Sequence, residues 1–294
     1  MNVALVVNPF ATRVDEVQLA GVEEQLATVA AVEVLRTERP GHATELVSAL
    51  TDVDAILVFS GDGGFNEALN GLERDIPVGF LPGGGTSVLS RALGLPADPV
   101  DAARQVTEAL AQQRTRRIAL GRVNGRRFAF SAGLGLDAEA VRHVDELGRT
   151  ADGKRPGDLA FTMAIVRAIV AHRGHLDPQL EVKGLGRAAV AFVANGSPYT
   201  YAKRFALPIA REARFELGLD VVAPVRIRRR SLLRTAYRVM TGHTRGDGFL
   251  YAHDLDRVEI VCDTRLPLHC DGEDLGDVGE AVFEAERDAV SVLA

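Results

Sequence analysis

The sequence predicts a parallel α/β domain followed by an antiparallel β-sandwich. Three observations carry that expectation. Short β-branched runs alternate with helical patterns through the first part of the chain. Two glycine clusters sit where such a run hands over to a helix. Beyond Arg116 the alternation gives way to spaced strands with hairpin signals.

Each element follows from its local pattern. Val3 to Val7 is an almost continuous apolar run, as a strand covered on both faces requires. Asp15 to Val29 reads as a helix, Val32 to Leu35 as a second strand and Thr44 to Leu50 as a second helix. Ala55 to Phe59 is a third strand, ending directly at Ser60-Gly61-Asp62-Gly63-Gly64. A helix from Phe65 to Leu72 follows, then strand Val78 to Leu81 and the cluster Pro82-Gly83-Gly84-Gly85-Thr86-Ser87. Val88 to Leu93 is helical and is stopped by Gly94 and Pro96, and Val100 to Gln113 completes the set.

Past this point Ile118 to Leu120 and Arg127 to Ser131 flank Asn124-Gly125, a hairpin signal because both turn positions tolerate positive φ. The pattern predicts a helical insert over Asp158 to Ala171. Further strands are expected at Ala188 to Ala194, Leu219 to Val225, Arg257 to Cys262 and Leu266 to Cys270. The expected domains are residues 1–115 and 116–285, with a tail at 286–294 packing back on the first. A cleft shared by the two halves is expected as well.

Composition narrows the function. Of 294 residues, 47% are hydrophobic and 25% charged, the balance of a soluble globular protein. A net charge of -6 argues against a nucleic-acid partner. Two cysteines, Cys262 and Cys270, imply no disulfide framework and suit a reducing compartment. The N-terminus lacks a basic signal region, and no stretch approaches the ~18 apolar residues of a membrane span. The apolar candidate Leu159 to Ala171 is cut by Arg167. A cytoplasmic protein with peripheral lipid contact is expected.

In an open parallel sheet, ligands bind beyond the carboxyl ends of the strands. Three loops fall there: Asn8-Pro9-Phe10-Ala11-Thr12, Ser60 to Gly64, and Pro82 to Ser87. Glycine lets backbone N–H groups approach a phosphate, and a helix N-terminus adds a favourable partial charge. Taken singly, each loop is equally an ordinary strand-to-helix turn; three at one sheet edge point to a phosphate. The first lysine is Lys154 and no Gly-Lys-Ser/Thr occurs, which excludes P-loop chemistry in this half. Neither loop spells G-x-G-x-x-G. Asp62 is the odd member, since a carboxylate repels a phosphate unless it meets Mg²⁺ or the acceptor hydroxyl.

Asn8-Pro9, Thr37 with Gly41-His42-Ala43, SGDGGFNEALNG, LPGGGTSVLSRALGLP and Asp271-Gly272-Glu273 together resemble the diacylglycerol kinase catalytic-domain family. That family includes bacterial lipid kinases and the sphingosine and ceramide kinases. The resemblance implies a Rossmann-like, NAD-kinase-type α/β domain that binds ATP, followed by the β-sandwich. It implies transfer of the γ-phosphate to a lipid alcohol, with diacylglycerol, giving phosphatidate, as the first candidate. A sphingoid or other lipid alcohol, or a catalytically silent binding member, stays open.

Carried over by motif, Asn8, Pro9, Phe10 and Thr12 border the ATP phosphates and Thr37 lies near the nucleotide. Ser60, Gly61, Asp62, Gly63 and Gly64 form the triphosphate loop, supported by Asn66 and Glu67. Gly84, Gly85, Thr86 and Ser87 form the opposite wall. Mg²⁺ meets Asp62 directly or through water, which also gives Asp62 a catalytic part. Asp271 and Glu273 belong to the motif that supplies the general base, and either can be that base.

Three departures stand out. The family loop usually reads Gly-Gly-Asp-Gly-Thr, whereas Ser60 begins it here, a mild change because sphingosine-type members also begin with serine, and Gly64 replaces the threonine. Thr-x-Asn in the second loop is replaced by Gly85-Thr86-Ser87. The family's acidic metal loop reads Arg211-Glu212-Ala213-Arg214-Phe215-Glu216 ahead of Gly218-Leu219-Asp220, so no second metal is expected there.

Arg226 to Met240, RIRRRSLLRTAYRVM, offers a route to a lipid. Leu232, Leu233, Ala236, Tyr237 and Met240 recur at helical spacing with Arg230, Arg234 and Arg238 beside them. Such a segment is expected to rest transiently on an anionic membrane, at its inner face. The alternative is a surface helix whose apolar face packs on the sandwich. Lys203-Arg204 and Arg155 are weaker basic candidates, and a homodimer is compatible with the sequence.

Overall fold

The computed structural model describes residues 1–146, 167–168, 170–202 and 205–294. Arg155, Lys203, Arg204 and most of the insert expected over Asp158 to Ala171 lie outside the described residues. The chain forms two compact units, residues 1–118 with 288–294 and residues 119–287.

The first unit is an α/β layer structure on parallel strands β1 (Asn2–Val7), β2 (Ala31–Arg36), β3 (Ala55–Ser60) and β4 (Val78–Pro82), in the order β4-β3-β1-β2. Val7 pairs with Arg36 and Phe59, and Ser60 with Pro82, so all four strands end at one edge. Every residue of β3 is buried, which is why its sequence is apolar up to Ser60 at its end. Helices α1 (Glu16–Ala27), α2 (His42–Ala49), α3 (Asp62–Gly71), α4 (Val88–Ala92) and α5 (Pro99–Ala111) connect or cover the strands. Val3, Leu5 and Leu57 share a core with Leu19 and Leu26 of α1 and with Val106 and Leu110 of α5.

Helix α3 differs from the sequence expectation. It starts at Asp62 rather than Phe65, so Gly63 and Gly64 ride in its first turn. Glycine is a poor helix former, and that low propensity hides the true start.

The second unit is antiparallel. Its elements in chain order begin with β5 (Arg116–Val123), which enters from the first unit, then β6 (Arg126–Phe128), β7 (Ser131–Leu134) and α6 (Leu136–Glu146). Strands β8 (Leu180–Val182), β9 (Gly186–Ala188) and β10 (Ala191–Ala194) follow, with the separate ribbon β11 (Thr200–Ala202) and β12 (Phe205–Leu207). Last come β13 (Leu219–Pro224), α7 (Leu232–Met240), β14 (Phe249–Leu255), β15 (Arg257–Cys270) and β16 (Glu273–Val292). The order is β14-β13-β10-β7-β15-β16, with β5 pairing β16 and β8 pairing β15. The Asn124-Gly125 turn forms as expected: Val123 pairs with Arg126, and the two turn residues have φ of 47° and 90°. The two runs expected around Cys262 and Leu266 are one strand whose register shifts between Val261 and Leu266.

Among the described residues, no helix is long and apolar enough to cross a membrane.

One capping contact tests the first unit directly. Asp98 Oδ1 accepts the Val100 and Asp101 N–H groups at 2.9 and 3.0 Å, closing the N-terminus of α5. Asp98→Ala should cost about 1 kcal/mol of unfolding free energy in a urea titration; an unchanged midpoint would show that this cap contributes nothing.

Candidate active site

The main chain stitches the strand-end loops of the first unit together. Asn8 N–H donates to the Phe59 carbonyl (3.0 Å), Gly83 N–H to the Ser60 carbonyl (2.7 Å) and Arg13 N–H to the Gly83 carbonyl (2.8 Å). Asn8 Oδ1 accepts the Phe10 N–H at 3.0 Å, which turns the first loop. Gly61 and Gly84 pack backbone on backbone: a Cβ on Gly84 would lie 2.8 Å from Gly61 Cα. That contact explains glycine at both positions.

Asp62 locks the pair. Its Oδ2 accepts the Val88 N–H at 2.9 Å and its Oδ1 the Leu89 N–H at 3.0 Å, across 26 and 27 residues. The carboxylate therefore faces the N-terminus of α4, where the helix's partial positive charge suits it. Ser87, at φ 46°, closes the second loop: its Oγ accepts the Gly84 N–H and donates to the Gly84 carbonyl, both at 3.2 Å.

The structure thus gathers Asn8, Ser60 to Gly64 and Gly84 to Ser87 at one sheet edge. Thr37 lies at the same edge, buried, with its N–H on the Val7 carbonyl at 2.8 Å. Pro9, Phe10 and Thr12 are exposed beside it. Asn66 and Glu67 serve the neighbouring packing. Asn66 is buried and its Oδ1 accepts from Asn70 at 3.1 Å, and Glu67 Oε2 accepts the Ala43 N–H at 3.2 Å at the start of α2. The first turn of α3 presents N–H groups that have no carbonyl within the helix to bond, with no side chains on Gly63 and Gly64 to cover them.

In the second unit, Asp271 and Gly272 form the two-residue turn between β15 and β16, with φ of 46° and 79°. The turn is not solvated. Asp271 is 3% exposed, and its carboxylate accepts three backbone N–H groups, from Ala129 (2.6 Å), Phe130 (3.0 Å) and Ser131 (3.1 Å). Glu273 is half-buried and forms an ion pair with Arg126.

The loop ahead of Gly218-Leu219-Asp220 carries its own counter-charges. Glu212 pairs with Arg245 and accepts the Tyr251 hydroxyl at 3.1 Å. Asp220, fully buried, lies 2.8 Å from His253 Nδ1 and accepts the Asp254 N–H at 3.1 Å. Burial pushes the Asp220 carboxyl up, and these hydrogen bonds oppose the rise.

With this geometry in hand, similarity to known proteins becomes informative. Residues 2–123 match the diacylglycerol kinase catalytic domain, and residues 130–294 the YegS C-terminal NAD kinase beta sandwich-like domain. The chain belongs to the diacylglycerol kinase catalytic-domain family of lipid kinases. The diacylglycerol kinase of Bacillus subtilis (strain 168) is 35% identical over 120 residues, covering 39% of this chain and 38% of that protein. The mitochondrial acylglycerol kinase of Xenopus laevis is 37% identical over 70 residues, 21% of this chain and 16% of that protein. The matched segment therefore spans well under half of either relative. A crystal structure of a diacylglycerol kinase from Bacillus anthracis str. Sterne superposes with a TM-score of 0.73 at 18% identity, covering 99% of this chain and 96% of that one. At that identity the likeness shows a shared fold.

Sequence reasoning missed one buried network of the second unit. Asp137 Oδ2 lies 2.6 Å from His269 Nε2 and accepts the Tyr199 hydroxyl at 2.6 Å, while that hydroxyl sits 2.9 Å from the Ala132 carbonyl. His269 stands two residues before Asp271 on β15, so the network underlies the same turn. Burial pushes the Asp137 carboxyl up, but the His269 charge and the His269 and Tyr199 hydrogen bonds outweigh it, leaving the pKa below its ordinary 3.8. The stabilisation is therefore complete above pH 3.8 and is lost as pH falls through the lower folded value. Melting curves below about pH 5 should fall less steeply for Asp137→Asn than for the parent; equal slopes would remove Asp137 from the acid transition.

Proposed function

We propose that this chain transfers the γ-phosphate of ATP to the hydroxyl of a lipid, with diacylglycerol as the first acceptor to test. The observation that carries the reading is the first turn of α3, bare of side chains at Gly63 and Gly64 and flanked by Asn8 and the Gly84–Ser87 wall. Backbone N–H groups in such a turn hold phosphate oxygens and cost little reorganisation during transfer. Asp62 is the carboxylate among these loops, and as a hard oxygen ligand it would be the protein contact of an Mg²⁺ ion, directly or through water. When bound, that ion supplies charge neutralisation of the transferring phosphoryl group.

In this reading the Asp271-Gly272-Glu273 turn takes the proton from the attacking hydroxyl. The two carboxylates differ in how they are held, since Asp271 anchors three N–H groups and Glu273 faces Arg126. Incubating the protein with γ-labelled ATP and a panel of glycerolipid and sphingoid alcohols should give labelled phosphatidate. Glu273→Gln and Asp271→Asn should each abolish it. Only Asp271→Asn should also lower unfolding free energy, by about 1–3 kcal/mol, because its amide meets a backbone donor. No labelled lipid from any acceptor would sink the assignment.

We further propose that α7 brings the chain to its substrate. No residue of this helix is buried. Leu232 and Val239 dock it against the unit's core clusters, and Leu233, Tyr237 and Met240 form an outward apolar stripe, with Leu233 85% exposed. Arg229, Arg230 and Arg234 are exposed around that stripe, and guanidinium groups beside an apolar face complement anionic headgroups. Arg238 does not join them: its guanidinium donates to the His243, Asp247 and Arg245 carbonyls at 2.8–3.0 Å. Vesicles of phosphatidylcholine with phosphatidylglycerol should co-sediment the protein better than phosphatidylcholine alone. Leu233→Asp or the triple change Arg229/Arg230/Arg234→Ala should abolish the difference, and binding indifferent to both would remove the membrane role.

A further inference from the structure

Residues 60 and 64 compete for one side-chain position. A Cβ built on Gly64 would overlap the Ser60 Oγ and lie 2.8 Å from the Ser60 Cβ, with Asn8 Nδ2 next at 3.8 Å. The Ser60 side chain therefore stands where a side chain on residue 64 would begin. Ser60 is 1% exposed, and its Oγ is buried without a hydrogen-bond partner. An unpartnered buried hydroxyl is unfavourable, so packing under the helix turn has to compensate for it.

We propose that Ser60 is a positioning residue for the triphosphate seat: its side chain fills the space left by Gly64, wedges the end of β3 against the first turn of α3, and sets the direction of the turn's N–H groups. The proposal rests on the nucleotide reading of this loop. Because the Oγ is covered, Ser60 acts through the backbone of residues 61–64 and not by touching a phosphate. Two further contacts make the turn sensitive to that wedge. Gly61 approaches Gly84 Cα with no side chain between, and Asp62 is held by the first two N–H groups of α4, those of Val88 and Leu89. A shift at residue 64 would be transmitted to both.

Serine at 60 and glycine at 64 are on this view one exchange. Gly64 is then no sign of a silent protein, because the missing side chain is supplied from the strand.

The test is a double-mutant cycle of Gly64→Ala, Ser60→Gly and Ser60→Gly/Gly64→Ala, read by melting temperature and by steady-state kinetics with varied ATP. Gly64→Ala forces the Ser60 side chain or the turn aside. It should lower the melting temperature and raise the ATP KM by about tenfold or more, with kcat changing much less. Adding Ser60→Gly should recover most of both losses, and Ser60→Gly alone should raise the ATP KM by leaving the turn unwedged. A double variant no better than Gly64→Ala in either readout would overturn the shared space. Recovery of melting temperature with one ATP KM across all four proteins would overturn the positioning role and leave the shared space standing, whereas a parent protein that turns over no ATP would overturn the nucleotide reading itself.

Discussion

The Asp62 carboxylate is the contact on which the geometry of the first unit's loops depends. Helix α4 has five residues, too short to be stable by its own hydrogen bonds. It begins after a non-glycine residue in the left-handed region, Ser87. Two hydrogen bonds from Val88 and Leu89 to one carboxylate fix that start, and hydrogen bonds to a charged acceptor are worth about 1.5–3 kcal/mol each. They also carry the second glycine loop onto the first, where Gly61 and Gly84 meet without side chains between them. The acid in an anion seat is then intelligible. Asp62 is turned to a neighbouring helix end, and the first turn of α3 beyond it, at Gly63 and Gly64, presents bare backbone.

The second unit repeats the device. Asp271 looks like a surface turn residue but holds the N–H groups of Ala129, Phe130 and Ser131, and its own N–H returns to the Ser131 carbonyl at 2.7 Å. That anchors the β15–β16 turn to the segment leading into β7. Asp137, His269 and Tyr199 add a second buried polar group nearby, satisfied on most of its atoms, with His269 Nδ1 buried and without a partner. Networks of this kind fix one arrangement of a core, because any other leaves charges buried and unpaired. The Asp271 carboxylate is thereby held by backbone 140 to 142 residues away in the sequence.

How much of this is legible in sequence depends on the range of the forces involved. The first unit's strands and most of its helices follow from apolar runs and periodicity, which are local. The start of α3 does not, since Gly63 and Gly64 are there for close approach and not for helix propensity. Helix α6 and strand β14 carry no strong local signal. Strand β16 is rich in acids and mostly half-buried, so its alternation is blurred. Asp271 and Asp137 were least legible in role, because their partners come from distant segments. Arg238 reads as one more cation on a basic helix, and only its three carbonyl acceptors reveal a clamp.

The departures from the family pattern gain a common meaning from the geometry. Taken one at a time along the chain, Ser60, Gly64, Ser87 and Arg211 look like losses. In space Ser60, Gly64 and Ser87 are accounted for, and so are the acids that follow Arg211. Ser60 fills what Gly64 leaves empty, and Ser87 closes its loop through both polar groups of Gly84. Glu212 and Asp220 meet Arg245, Tyr251 and His253. The Gly84–Ser87 loop is thus closed on itself, and the acids that follow Arg211 are paired within their own unit. Ser60 and Gly64, which read as erosion in a motif comparison, answer to one side-chain position beneath the first turn of α3.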